Sequence, residues 1–197
     1  MMSRALRTQA RGNVMVEFAL VAPVMLLATM GMGEVAYESY LRSTLVGAMQ
    51  KAGRDSTIQG AAQNTAAIDQ AVLAVVQDVA PSATFSNQPA DRRKSYAQFG
   101  NIAPEPFVDS NKNGVRDPGE CFTDINGNGS WDADPGIAGQ GGASDVTVYT
   151  LAVRYARLFP LATLMGGNGY QVITATVLQK NQPYAAQVAT TAATVCS

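Results

Sequence analysis

An unbroken apolar stretch near the N-terminus limits what this chain can fold into more than any other feature. The run from Ala19 to Gly33 contains no charged residue. A continuous helix from Asn13 to Gly33 would extend about 30 Å at 1.5 Å per residue, which matches the hydrocarbon core of a bilayer. The sequence therefore predicts one membrane-spanning helix over residues 13–33.

The charges on the two sides of this helix predict its orientation. Arg4, Arg7 and Arg11 precede it, whereas the first charges after it are Glu34 and Glu38. Because basic residues are retained on the cytoplasmic side, we expect a cytoplasmic N-terminus and an exported chain after residue 34.

Glu17, at the start of the helix, admits three interpretations. A secretory signal peptide explains the basic and apolar regions, but its apolar region is usually only about 7–15 residues long. A plain signal anchor explains the length and the arginines but not the carboxylate, which is costly near a membrane core. Cleavage after Gly12 explains the arginines, the length of the apolar run and the carboxylate. After the cut, Asn13 carries an ammonium group that can pair with Glu17 of a neighbouring subunit.

The sequence of this segment resembles that of a known family. From Gly12 to Pro23 it reads Gly-x-x-x-x-Glu-Phe-Ala-Leu-Val-Ala-Pro. It resembles type IV prepilins and, more closely, the TadE-like minor pseudopilins of tight-adherence pili. The resemblance implies that a prepilin peptidase removes the leader, residues 1–12, by cutting between Gly12 and Asn13. It also implies that Glu17 aligns the N-terminal helix with other pilin or pseudopilin subunits, and that the protein is anchored in the inner membrane before pilus assembly.

Composition excludes several kinds of function. The chain has no histidine, so Ser-His-Asp catalysis, imidazole acid-base chemistry and histidine-containing zinc sites are excluded. Its 14 basic and 15 acidic residues nearly balance, so it has no overall positive field to attract nucleic acid. We therefore expect neither an enzyme nor a nucleic-acid partner.

Residues 109–120, called here the first loop, match the calcium-loop pattern D-x-[DN]-x-[DN]-G-x5-E at every required position. Calcium takes six to eight oxygen ligands, and a loop with oxygen-bearing side chains at alternate positions can supply them. Gly114 permits the sharp turn that the pattern needs. The expected ligands are the side chains of Asp109, Asn111, Asn113, Asp117 and Glu120 and the carbonyl of Val115.

Residues 124–135, the second loop, repeat the first six positions of the pattern but have Pro135 at position twelve. The closing ligand must then come from Asp132, Asp134 or elsewhere. We expect one calcium ion, and the second loop could hold another, each in a structural role with an affinity of about 0.1–1 mM. The alternative is a surface turn without an ion. The candidate ligands of the second loop are Asp124, Asn126, Asn128, Ser130, Asp132 and Asp134.

The two cysteines, Cys121 and Cys196, lie far apart in sequence and have no CxxC spacing. In an oxidising compartment they most simply form a disulfide that ties the acidic region to the C-terminus. Two buried free thiols are the alternative.

The remaining pattern predicts an α+β head over residues 34–197. The N-terminal helix continues to about Ile58, and a second helix follows from about Thr65 to Val79, with a turn at 59–64 between them. The calcium loops form an insertion at about 105–142.

Two long antiparallel strands are predicted after that insertion, at residues 145–157, with a bulge near Thr150, and at 170–179. The apolar connection at 158–165 could lie over the sheet or touch the bilayer, and burial is preferred. Earlier in the head, a short strand is predicted at 83–88, and Arg92-Arg93-Lys94 is interpreted as a solvated turn.

The resemblance implies a TadE-like minor pseudopilin for tight-adherence pilus assembly, and the loop pattern adds a calcium-stabilised exported head. The alternative is a membrane-anchored calcium-binding adhesion or recognition module unrelated to pili.

Overall fold

The computed structural model describes residues 3–57, 64–87, 89–183 and 192–196, with side chains from residue 14 onward. Within this part of the chain the fold is α+β, as predicted. The turn expected at 59–64 lies outside it except for Asn64. The α-helices are α1 (Ser3–Ser56), α2 (Thr65–Gln77) and the short α3 (Leu161–Leu164), and Phe99–Asn101 form a 3-10 helix.

Helix α1 is continuous over 54 residues, and Pro23 lies inside it without ending it. Its N-terminal part contains an apolar window long enough to cross a membrane, and none of that window is buried against the other residues that the structure describes. From Leu41 onward one face of the helix packs on the head. This face repeats every three or four residues, as an amphipathic helix requires, through Leu41, Leu45, Met49 and Ala52.

The main sheet is built around β5, and its strands are β1 (Thr84–Phe85), β2 (Arg93–Tyr96), β4 (Ile137–Ala138), β5 (Val146–Ala156) and β6 (Tyr170–Lys180). Strand β5 pairs along its whole length with β6, from Val146 opposite Lys180 to Ala156 opposite Tyr170. Strands β1 and β2 pair with different parts of β5, and β4 continues the sheet beyond β2.

A second, two-stranded sheet joins the acidic region to the C-terminus. It consists of β3 (Cys121–Asp124) and β7 (Ala193–Cys196), which are antiparallel. A disulfide joins Cys121 to Cys196, as predicted from their context.

The core lies between the helices and one face of the main sheet. Apolar side chains of α1 and α2 meet inward-facing residues of β5 and β6, which lie at alternate positions along each strand. The helices supply apolar side chains from one side of this core and the sheet supplies them from the other. The core therefore holds the head together around the C-terminal half of α1. The sheet residues of this core include Tyr149, Leu151, Val153, Tyr155, Ile173 and Ala175.

The solvated turn expected at Arg92-Arg93-Lys94 was a wrong prediction. Arg93 begins β2, is only 6% exposed and donates to Asp69 at 2.5 Å. Arg92 and Tyr149 also donate to the carboxylate of Asp69. Burial by itself would raise the pKa of Asp69, but the hydrogen bonds from Arg93, Tyr149 and Arg92 outweigh it and hold the pKa below its ordinary value.

The bulge expected near Thr150 is also absent, since β5 and β6 pair without a slip in register. The alternation breaks because β5 is buried on both faces in this region. Thr147 and Tyr149 are buried on the core face, and Val146 and Ala152 are buried on the opposite face.

The head has two ends along α1. At one end Gln179 of β6 donates to Ser56. At the other, Gln171 of β6 donates to Glu38, and the backbone N–H of Phe159 donates to Glu34. The connection between β5 and β6 therefore lies beside the end of the apolar run, and we call this the proximal end. The opposite end, beside Ser56, is the distal end.

Candidate functional site

The first loop adopts a turn whose hydrogen bonds follow the calcium-loop spacing. Asp109, at position one, accepts the backbone N–H groups of Asn113 at 3.1 Å and of Gly114 at 2.7 Å. The amide Nδ2 atoms of Asn111 and Asn113 both lie 2.7 Å from the same oxygen of Asp117. The side chains at positions three, five and nine of the pattern therefore converge on one point.

The second loop repeats this geometry position by position. Asp124 accepts the backbone N–H groups of Asn128 at 3.2 Å and of Gly129 at 2.8 Å. The Nδ2 atoms of Asn126 and Asn128 lie 2.8 and 2.6 Å from one oxygen of Asp132. Two loops with different sequences between the matched positions thus form the same side-chain arrangement.

The backbone of the two loops matches as well. Position four has a positive φ in both, 60° at Lys112 and 78° at Gly127. Position six is again positive, 77° at Gly114 and 79° at Gly129. Glycine tolerates this conformation and a lysine adopts it only at a cost, so the shape is imposed by the loop as a whole.

Glu120 closes the first loop from position twelve. Its two carboxylate oxygens accept the backbone N–H of Ser110 at 2.7 Å and that of Asp117 at 3.0 Å. These donors stand at positions two and nine of the loop. Glu120 is 7% exposed, so the loop folds around its carboxylate.

Glu105 occupies the equivalent place in the second loop, although it precedes both loops in sequence. Its two oxygens accept the backbone N–H of Ile125 at 2.7 Å and that of Asp132 at 3.0 Å. These donors again stand at positions two and nine. Glu105 is 1% exposed, and its carbonyl accepts the indole N–H of Trp131 at 2.8 Å.

Sequence reasoning missed Glu105 because the calcium-loop pattern covers only twelve consecutive residues. The one available signal was the missing acid at Pro135, which required a carboxylate from outside. Asp134, considered for that role, instead bonds with Lys94 and Tyr96, at 2.6 Å each. Burial would raise the pKa of Asp134, but these hydrogen bonds outweigh it and hold the pKa below its ordinary value.

Across the described residues, no three His, Cys, Asp or Glu side chains come together in an arrangement suited to a metal ion. In each loop, two of the three converging side chains are asparagines, which are not among these four residue types. Calcium accepts amide and carboxylate oxygens as ligands. In each loop, however, the asparagines turn their Nδ2 atoms towards the aspartate. These residue types therefore fit the ion only if the amides flip to present their oxygens to it. The carbonyl of Val115 and the side chain of Ser130 stand at position seven of the two loops.

The N-terminal site lies at the other extreme of the molecule. Gly12, Asn13 and Glu17 all belong to α1. The side chains of residues 3–13 are outside the described part of the chain, so only Glu17 can be placed, and it is exposed on the helix surface. Its carboxylate is therefore accessible to another helix.

The model of the TadE-like protein family matches residues 12–54. The chain is TadE-like over this segment. No curated protein and no solved structure matched the chain.

The TadE-like segment coincides with most of α1, from the candidate cleavage site nearly to the helix end at Ser56. It contains Glu17 and the α1 residues that pack on the head. The TadE-like family consists of pilus-associated structural proteins and not of enzymes. The match and the apolar helix together fit a membrane-anchored, pilus-associated protein, whereas both loops lie beyond the matched residues.

Proposed function

We propose that the protein is a minor pseudopilin of a tight-adherence pilus. The observation that carries this proposal is the TadE-like match over a helix whose apolar window is left uncovered by the described residues of the chain. A helix of this kind can lie in lipid and later pack against the helices of other subunits.

Processing would create the partner that Glu17 needs. A prepilin peptidase on the cytoplasmic side of the inner membrane would cut between Gly12 and Asn13, and the leader with Arg4, Arg7 and Arg11 would be lost. The new ammonium group on Asn13 of one subunit would then meet the carboxylate of Glu17 on its neighbour. A paired carboxylate is tolerated in hydrocarbon far better than a single one.

N-terminal sequencing of the mature protein tests this proposal directly. We expect the mature chain to begin at Asn13 in cells that contain the cognate peptidase, and Gly12→Val to leave it uncut. Glu17→Gln removes the charge but keeps the size, so we expect correct cleavage and loss of the protein from sheared pili. An uncut wild-type chain, or a different first residue, would refute processing.

We also propose that calcium organises the two loops in the exported head. The loops are rich in acids, and their turns are held mainly by hydrogen bonds between polar groups. A divalent cation at the convergence point would offset the repulsion between carboxylates within each loop. Glu120 would close the first site, and Glu105, in place of Pro135, would close the second.

The role of calcium would be structural. The second loop is followed by β4, which pairs with β2 at the distal end of the sheet. The first loop is followed directly by Cys121 and its disulfide to Cys196. Ordering the loops would therefore order the surface of the head that lies farthest along α1 from the membrane-spanning part.

Piliation assays separate this proposal from an adhesion module unrelated to pili. If the protein is a pseudopilin, Glu17→Ala and Asp109→Ala both reduce piliation. An adhesion module predicts that Asp109→Ala abolishes surface binding while Glu17→Ala leaves it intact. Asp91→Asn, which changes an exposed acid outside the loops, is the matched control for both assays.

A further inference from the structure

The connection between β5 and β6 packs against α1 where the apolar run ends. The backbone N–H of Phe159 donates to Glu34 at 3.2 Å, and Arg157 lies 3.7 Å from the same carboxylate. Gly33 and the Phe159 ring are so close that a Cβ on Gly33 would come within 2.9 Å of the ring. These contacts place the connection at the boundary between the spanning part of α1 and the head.

Residues 158–169, which we call the proximal loop, carry no charged side chain. Burial is predicted from the sequence for its apolar part, residues 158–165, and the structure contradicts this. Leu158 is 53% exposed, Leu164 75% and Met165 89%. Three large apolar side chains at one end of the head are thus left without cover from the described chain.

We propose that the proximal loop inserts its apolar side chains into the lipid bilayer on the exported side, so that the head stands on the membrane. The occupant of this surface is lipid because of its position. When α1 spans the bilayer up to Gly33, a loop packed at Gly33 and Glu34 lies at the interface. This inference rests on the membrane anchoring of α1 and does not depend on the pilus role.

The residues next to the proximal loop are of types that suit a membrane–water interface. Arg157 pairs with Glu34, so the polar boundary of α1 is neutralised within the chain. Arg154 stacks over the ring of Tyr170, with its guanidinium carbon 4.0 Å from the ring centroid. Tyrosine is enriched at both membrane interfaces. An arginine beside it can lay its apolar stem along the ring and keep its charged head in water.

Insertion would hold the head at a constant distance from the membrane. The proximal loop would be a second contact with the membrane in addition to α1, so the head could not rotate freely about the helix. Assembly into a filament would then have to withdraw the proximal loop from lipid together with the helix.

Tryptophan quenching by brominated lipids tests the proposal on the full chain in vesicles, at no more than one copy per vesicle. The single native tryptophan, Trp131, lies in the second loop and is an internal reference. Leu164→Trp adds the fluorescence of a second tryptophan. We expect most of this added fluorescence to be quenched in vesicles of dibrominated phosphatidylcholine and to remain in vesicles of unbrominated lipid. The matched control is Val108→Trp, at an exposed position near the first loop, which should not be quenched.

Two outcomes would overturn the proposal. One is quenching of Leu164→Trp that does not exceed that of the native chain. The other is a tryptophan at 164 that is shielded from aqueous acrylamide but not reached by bromine, which would indicate a protein contact. Met165→Trp repeats the measurement at the most exposed of the three positions, so the result does not depend on one variant.

Discussion

Glu105 and Asp132 are joined twice. The backbone N–H of Asp132 donates to the carboxylate of Glu105 at 3.0 Å, and the backbone N–H of Glu105 donates to the carbonyl of Asp132 at 3.0 Å. This double link inserts the carboxylate of Glu105 into a loop that lacks its own closing acid. It makes the two loops equivalent in geometry although only one of them completes the calcium pattern in sequence.

Calcium should stabilise the head through both loops. At a free calcium concentration about ten times the dissociation constant, each site would add about 1.4 kcal/mol to the free energy of unfolding. Thermal or denaturant unfolding of the full chain in detergent, with and without millimolar calcium, measures this effect. Magnesium at the same concentration is the control, because it prefers a smaller octahedral site. An unchanged transition in calcium would contradict the proposal.

Glu105→Gln should remove one of two calcium ions and leave the other. Trp131 reports on the second loop because its indole N–H donates to the carbonyl of Glu105. We expect the calcium-dependent change in Trp131 fluorescence to disappear, while calorimetry still detects binding to the first loop. Glu120→Gln should do the reverse. If Glu105→Gln binds calcium at both sites as tightly as the native chain, Glu105 is not a ligand.

Loss of the disulfide should destabilise the head substantially. The bond joins residues separated by 75 positions, and closing a loop of that length in the unfolded chain corresponds to about 4 kcal/mol in the chain-entropy model. Cys196→Ser should lower the free energy of unfolding by an amount of this order and release β7 from β3. Denaturant unfolding measures the loss, and the double variant with Cys121→Ser should behave like the single one. A strong additional effect of the second substitution would show that Cys121 acts apart from the bond.

The buried pairing of Asp69 should make the head sensitive to acid. Its folded pKa lies below the ordinary value of 3.8, so the pairing stabilises the fold above that value. The stabilisation decreases as the pH falls through 3.8 and is lost below the folded pKa. Asp69→Asn should cost about 3–5 kcal/mol near pH 7, because it leaves Arg93 buried without a charged partner.

Unfolding curves at several pH values measure both effects. Asp69→Asn should reduce the difference in stability between pH 7 and pH 3, whereas Asp55→Asn, at an exposed position of α1, should not. An Asp69→Asn chain that is as stable as the native one at pH 7 would contradict the assigned role of the pair.

The membrane-length helix, the two loop turns and the long strands could be predicted from the sequence because each depends on neighbouring residues. The apolar run sets a helix length, alternate side chains predict β5 and β6, and the spacing of Asp, Asn and Gly predicts two turns of one shape. The pairing of Cys121 with Cys196 could be inferred because no other cysteine competes.

Other features depend on long-range packing, and only the tertiary structure decided them. Arg93 is buried because β2 pairs with β5 over Asp69, and no local pattern distinguishes it from a solvated arginine. Leu164 and Met165 are exposed because the hairpin connection projects past the core beside Gly33. Glu105 meets the second loop because the chain returns to it from outside the twelve-residue pattern. Local periodicity specifies which face of a segment is apolar, whereas the partner of that face is chosen only when distant segments pack together.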